Sequence, residues 1–192
     1  MSSSRLSNRL LLLLGILLVM ATPALGLTPA QSQTLKADIL ADPILAGQPQ
    51  TSDGAFAIAA VYNLLAIPDF WVWRTTVPQH EIVGATSPDG TVWSWTAYIS
   101  RSQGERDGWR EMFADTGSIN ASRPNIRQGL ADIFSGPSGA AQRTHLLAIG
   151  RRTATRAEKL FATGTGSTAS PATMAVEGTL TYQDVLTARE LP

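Results

Sequence analysis

The chain has 192 residues with 15 basic and 15 acidic side chains, so its formal net charge is zero, and it contains no cysteine. The lack of cysteine excludes disulfides, thiolate metal sites, cysteine nucleophiles and lipoprotein-type acylation. Zero net charge argues against a protein that binds the nucleic-acid backbone, because such binding needs a basic surplus. The length and a hydrophobic content of 44% fit one globular domain, alone or with a targeting segment.

Residues 1–26 have the pattern of a signal-like leader. Two arginines precede an apolar run from Leu10 to Met20, and the small residues Ala24 and Gly26 occupy the −3 and −1 positions of a cut before Leu27. As a helix the run rises only about 16 Å, short of the roughly 30 Å hydrocarbon core, so no stable membrane span is expected. Either the leader is cleaved, or the start is assigned too far upstream and the segment is never translated.

Two helices are predicted at the start of the body, residues 27–192. Thr28 followed by Pro29 is typical of a helix N-terminus, and the Asp42-Pro43 pair predicts its end. The second helix is predicted to start at Ser52 and to end by Pro68. Its expected apolar face consists of Phe56, Ala59, Ala60, Leu64 and Leu65.

The middle of the chain mixes extended and helical signals. Alternating residues at 70–73 fit a short strand or an extended connection, and Thr76 before Val77-Pro78 predicts another helix start. A turn at 87–90 precedes a β-leaning stretch, 92–98.

Helical signals dominate the second half. Apolar periods predict helices from Glu105, over 124–134 and over 139–150, and Thr153 or Thr155 starts a short basic helix. Residues 173–176 favour an extended segment, and Thr181 with Asp184 forms a capping pair for the last helix. No period of about 20–50 residues recurs, which excludes repeat architectures. We expect a mainly α fold, a single small multi-helix domain with at most a minor β element, preceded by the leader.

Four of the five tryptophans occur in two pairs, Trp71 with Trp73 and Trp93 with Trp95. Alternate residues of an extended segment lie on one face, so each pair would share a face. Core packing is the simpler interpretation of such a pair. The functional alternative is an exposed patch that contacts a protein partner or a sugar ring.

One local cluster of positive charge comprises Arg151, Arg152, Arg156 and Lys159. Pairing with acids of the same chain or of a neighbouring subunit is favoured over nucleic-acid contact, since the chain is otherwise neutral. The Gly/Thr/Ser loop at 163–171, with Gly164 and Gly166, follows this cluster. No Lys-Ser/Thr pair follows the glycines as in a phosphate-binding loop, so the composition predicts a flexible linker.

Signals of catalysis or metal binding are few. His80-Glu81 lacks a second ligand at helical spacing, and His145 lies in an apolar predicted helix. The chain has no Gly-x-Ser-x-Gly motif, and no close carboxylate pair stands out. We therefore expect no enzymatic activity, no metal and no cofactor.

Several distinctive motifs are spread along the body: LTPAQ (27–31), VWRT (72–75) with Val77 and Glu81-Ile82 after it, W-x-x-M-F (109–113), P-N-I-R-x-G (124–129), ATRAEKLFATGTG (154–166) and ASPATM (169–174), with EG at 177–178. With these motifs the chain resembles a family of small, mostly uncharacterised proteins that tailed phages and prophages encode among their virion-morphogenesis genes. The resemblance covers nearly all of residues 27–191 and is most specific over 154–178. Members of that family start near residue 27, which favours a misassigned start here, and residues 84–98 depart from the family pattern.

The resemblance implies a virion-associated or assembly role and no catalytic residues. We expect a non-enzymatic structural or assembly protein at a head–tail or tail contact, in the virion or in the host cytoplasm during assembly. Its partners would be other virion proteins, or further copies of itself. The candidate partner-contact residues are Trp71, Trp73, Trp93, Trp95, Arg151, Arg152, Arg156, Lys159, Gly164 and Gly166.

Two other functions stay open. A cleaved leader would make the chain a periplasmic or secreted protein of the bacterial envelope that binds a ligand or partner. A small hydrolase is the third function, and it lacks a convergent acid/base set in the sequence.

Overall fold

The computed structural model describes residues 26–191, so the predicted leader, apart from Gly26, lies outside the described residues. The helices in this range are α1 (Pro29–Ala41), α2 (Pro43–Ala46), α3 (Ser52–Tyr62), α4 (Gln79–Gly84), α5 (Trp95–Ile99), α6 (Gln103–Glu111), α7 (Pro124–Ile133), α8 (Ala140–Ile149), α9 (Arg156–Phe161) and α10 (Tyr182–Glu190). The strands are β1 (Trp71–Trp73), β2 (Val77–Pro78), β3 (Ser118–Ile119), β4 (Arg151–Thr153), β5 (Ala162–Thr163) and β6 (Thr173–Met174). The fold is mainly α, as predicted. None of the helices in residues 26–191 combines the length and the apolar character needed to cross a membrane.

Local capping explains where several helices begin. Thr28, Thr155 and Thr181 each accept a hydrogen bond from a backbone N–H three residues later. A side-chain oxygen of that later residue accepts one from the N–H of the threonine. Such capping boxes satisfy donors that a helix start leaves unpaired. The predicted starts at these three threonines are confirmed.

The predicted apolar face of α3 is largely wrong. The helix packs into the core through Gly54, Ala55, Ile58, Ala59 and Tyr62. Phe56 and Leu64 are more than half exposed, and the helix ends at Tyr62 rather than near Pro68. Asp53 is the only charged residue of α3. Because apolar residues surround the helix, periodicity does not select the buried side.

Two predictions for the middle of the chain are also wrong, the extended stretch at 92–98 and the helix start at Thr76. Trp95–Ile99 is helical because the Ser94 hydroxyl caps it, accepting from the Ala97 N–H at 3.1 Å. No helix starts at Thr76, because buried Val77 pairs with Ile119 across β2 and β3, which delays α4 to Gln79. A local cap at Ser94 and a long-range strand pairing at Val77 thus override the propensity of these segments.

The basic cluster is divided between a strand and a helix. Arg151 and Arg152 lie on β4, which pairs antiparallel with β1, and α9 begins only at Arg156. Strand pairing supplies the backbone partners that a helix would otherwise provide.

The helices form two apolar clusters. The first contains side chains from α1, α3, α9 and α10, including Leu35, Ile58, Tyr62, Phe161 and Val185. The second contains side chains from α4 and α6–α8 and from β2 and β3, including Ile82, Trp109, Phe113, Phe134 and Leu146. A small third cluster on the strands, Val72, Ala154, Ala172 and Met174, connects them, since β4 contacts α8 and β6 contacts α9.

Candidate functional site

Strands β1 and β4 form an antiparallel pair, called the ribbon below, that brings two sequence signals together. Trp71 lies opposite Thr153, Val72 opposite Arg152, and Trp73 opposite Arg151. One tryptophan pair and the first two arginines of the basic cluster therefore meet, although about 80 residues separate them in the chain.

The tryptophan pairs have different surroundings. Trp71 and Trp73 are half-buried, and each has a guanidinium near its ring, Arg151 at 5.4 Å from the Trp71 centroid and Arg127 at 4.4 Å from that of Trp73. Such cation–π contacts stabilise the ribbon side chains. Trp93 is buried in the second cluster, whereas Trp95 is 57% exposed. The prediction that Trp93 and Trp95 share one face of an extended segment is wrong, because α5 begins between them.

The Gly/Thr/Ser loop packs on the ribbon. The Trp71 N–H donates to the Gly166 carbonyl at 2.7 Å, and the Arg151 guanidinium donates to the Thr168 carbonyl at 2.6 Å. Gly166 is buried against the Phe70 ring, over which Lys159 lies at 5.7 Å. The loop, called the packed loop below, is anchored on the ribbon by these contacts, which composition does not encode.

We predict that Gly166→Ala destabilises the fold by about 2 kcal/mol. Gly166 has a φ of +64°, and a Cβ there would overlap the Phe70 ring. Gly90→Ala is the matched control, because Gly90 has a φ of +77° but open space around it. Its cost is about 1 kcal/mol from backbone strain alone. Urea denaturation measures both, and equal losses would show that the loop does not press on Phe70.

The three arginines of the basic cluster are paired with acids of the same chain. Arg152 donates to both carboxylate oxygens of Glu158 at 2.7 Å and to Glu177 at 3.0 Å. Arg156 contacts Asp38 and Asp42 at 3.2 and 3.3 Å, and Arg151 pairs with Asp89. These arginines therefore hold separate segments of the chain together.

Burial and hydrogen bonding shift the pKa values of these groups. Burial works to raise the pKa of Glu158, but hydrogen bonds from Arg152 and from the Thr155 N–H outweigh it, so that pKa lies below its ordinary value. The hydrogen bond to Glu158 in turn raises the pKa of Arg152. Hydrogen bonds from Arg74 lower the pKa of Glu81. These groups are ionised at neutral pH and are poor proton donors or acceptors for catalysis.

An open cleft of about 610 Å³ lies beside the ribbon. Its walls include three arginines, two glutamates, one tryptophan and several hydroxyl side chains: Trp71, Arg74, Thr76, Glu81, Thr86, Ser87, Arg151, Arg152, Thr153 and Glu177. Arg74 and Glu81 form a two-point ion pair in one wall. The size of the cleft suits a ligand, and its charges are paired.

The two histidines have ordinary structural surroundings. His145 is fully buried, with Nε2 at 2.8 Å from the Ile82 carbonyl and Nδ1 at 3.3 Å from the Thr91 hydroxyl. His80 is exposed on α4. Within residues 26–191, no group of three or more His, Cys, Asp or Glu side chains could hold a metal ion. The geometry of these residues assigns no catalytic role.

Sequence reasoning missed an exposed apolar surface on the outer side of α3, called the α3 patch below. It consists of Phe56 and Ala60, which lie one helical turn apart on α3, and of Leu64, which follows the end of the helix. Phe56 stacks on Tyr182 of α10 at 4.2 Å between ring centroids, beside an apolar groove of about 380 Å³. Leu65 and Ile67, 61% and 92% exposed, follow directly in the chain. The sequence did indicate these apolar residues, but they were predicted to face the core and not the surface.

Comparisons of the chain with protein-family models, with curated proteins and with solved structures found no match.

Proposed function

We propose that this chain is a non-enzymatic structural or assembly protein of a tailed phage or prophage, which acts through protein–protein contacts at a head–tail or tail site. The contact surface is the α3 patch, and the ribbon with its packed loop is a second surface. Its partners are other virion proteins.

The α3 patch is the observation that carries this proposal. A helix with apolar residues on all sides is normally buried all round. In this chain the core covers only one side of α3. The other side exposes Phe56 at 54%, and Leu64, just after the end of the helix, is 64% exposed. An exposed apolar stripe that continues into Leu65 and Ile67 is typical of a surface that another protein covers.

The remaining features support a binding role over a catalytic one. The arginines and carboxylates around the ribbon are consumed in ion pairs, and both histidines lack the partners of a catalytic set. The motifs at 154–178, over which the phage resemblance is most specific, form α9, β5, β6 and the packed loop. The segment over which the resemblance to phage proteins is most specific thus lies next to the ribbon.

Mass spectrometry of purified particles tests the proposal. Particles from the encoding phage, or from the induced prophage, are expected to contain this chain, and deleting its gene is expected to reduce plaque formation. The peptide map also reports whether the chain in particles starts near residue 27. A chain that is absent from particles, together with normal plaques after deletion, would remove the proposal.

A further inference from the structure

We propose that the outer edge of β4 binds an extended peptide segment of a partner protein, which pairs with β4 as an additional strand. This inference rests on the proposed function in protein–protein contact, and it names the kind of segment that the ribbon receives.

The hydrogen-bond pattern of the ribbon leaves this edge open. In an antiparallel pair, residues alternate between those that bond to the neighbouring strand and those whose backbone groups point away from it. The Ala154 N–H donates to the Phe70 carbonyl, and the Arg74 N–H donates to the Gly150 carbonyl. Residues 150, 152 and 154 therefore face β1, and the backbone groups of Arg151 and Thr153 point outward.

The other edge of the ribbon is already occupied. Trp71 and Trp73 donate to the carbonyls of Gly166 and Ala172 on that side. On the β4 side, no strand in residues 26–191 pairs with the outer edge. The Thr153 carbonyl accepts one bond from its neighbour, the Arg152 guanidinium, which leaves it a second lone pair.

The cleft runs along this open edge. Successive side chains of a strand point to opposite faces, yet Arg151, Arg152 and Thr153 all line the cleft. A cavity that touches three consecutive strand residues reaches the strand edge, and this one also extends over the face that Trp71 shares with Thr153. The far wall comes from the end of α4 and the following loop, at Glu81 and residues 85–88. A cleft of about 610 Å³ has the size of a short peptide segment.

The charges in the walls define the chemistry of that segment. Arg74 is paired with Glu81, Arg151 with Asp89, and Arg152 with Glu177. A charged peptide side chain would meet both signs of these pairs and would compete with one partner for the other, which is costly for partly buried groups. The cleft therefore fits an uncharged segment with small hydroxyl or amide side chains, held mainly by main-chain hydrogen bonds as in strand addition.

Proline at position 153 tests this pairing. It removes the outward N–H of residue 153 and leaves the hydrogen bonds between β4 and β1 in place. Random dodecapeptides are first selected on the full-length protein, and the selected peptides are then measured on Thr153→Pro and Thr153→Ala. We expect Thr153→Pro to weaken binding about tenfold or more, since a buried carbonyl of the peptide loses its donor. Thr153→Ala keeps the N–H and is expected to bind within about twofold.

Amide hydrogen exchange gives a second readout that does not depend on the proline variant. With a selected peptide bound, the N–H groups of Arg151 and Thr153 should exchange slowly, whereas without it they exchange fast. The Arg152 N–H, which faces β1, should be protected in both states. Equal peptide binding by both variants without protection of these amides overturns the proposal. Failure to select any peptide also overturns the proposal. Binding of a neutral saccharide, maltohexaose, instead of a peptide does so as well. Absence of the chain from particles would contradict the proposed phage function. The peptide measurement would still decide whether the β4 edge binds a peptide.

Discussion

Replacing Trp109 with alanine is expected to destabilise the fold by about 4 kcal/mol. Trp109 is 2% exposed at the centre of the second cluster. Its ring centroid lies 4.9 Å from that of Trp93, 4.7 Å from that of Phe113 and 5.8 Å from that of Phe134. Truncation removes all of these contacts at once and leaves a cavity that the helices on either side only partly close.

Urea denaturation followed by far-ultraviolet circular dichroism measures this loss. Trp95→Ala is the matched control, because Trp95 neighbours the same cluster but is 57% exposed. It should cost no more than about 1 kcal/mol. Similar losses for the two variants would show that the aromatic cluster is not the centre of this core.

Glu158→Gln is expected to cost about 3 kcal/mol near neutral pH, because it breaks a buried ion pair while leaving Arg152 in place. Glu158 is only 3% exposed and accepts bonds from Arg152, from the Thr155 N–H and from the Gly178 N–H. The substitution removes the charge that these donors stabilise.

The pH dependence of this loss has a defined sign. The pKa of Glu158 is lowered by folding, so its contribution is present above the unfolded value of about 4.3 and is lost as the pH falls through the folded value. The difference between the wild type and Glu158→Gln should therefore shrink from about pH 7 to about pH 3. Glu111→Gln, at an exposed position at the end of α6, is the control. A difference that stays constant over this range would contradict the role given to the ion pair.

The parts of the fold that the sequence predicts are those that local chemistry determines. A threonine cap with a polar residue three positions later starts α1, α9 and α10 where expected, since the bonds lie within one turn. Asp42 follows the end of α1 and also caps α2. The sequence analysis predicted only the end of α1 at this residue.

The parts that the sequence does not predict depend on distant partners. The strand state of Arg151 and Arg152 requires β1, and the packed loop requires Phe70 and Trp71. The buried side of α3 is decided by the helices that cover it, because its own residues are apolar all round. The cleft needs residues from four separate parts of the chain, so no local pattern indicates it.

The central claim is that the α3 patch binds another protein in the particle, and the amount of Ala60→Arg in purified particles tests it most directly. Ala60 is exposed between Phe56 and Leu64, so arginine there should change the stability by no more than about 0.5 kcal/mol while placing a charge in the contact. Ala141→Arg, exposed on α8, is the control. Quantitative mass spectrometry should find Ala141→Arg at the wild-type level and Ala60→Arg reduced about tenfold, as expected for a desolvated charge at an apolar interface. Folded Ala60→Arg at the wild-type level in particles would contradict the claim.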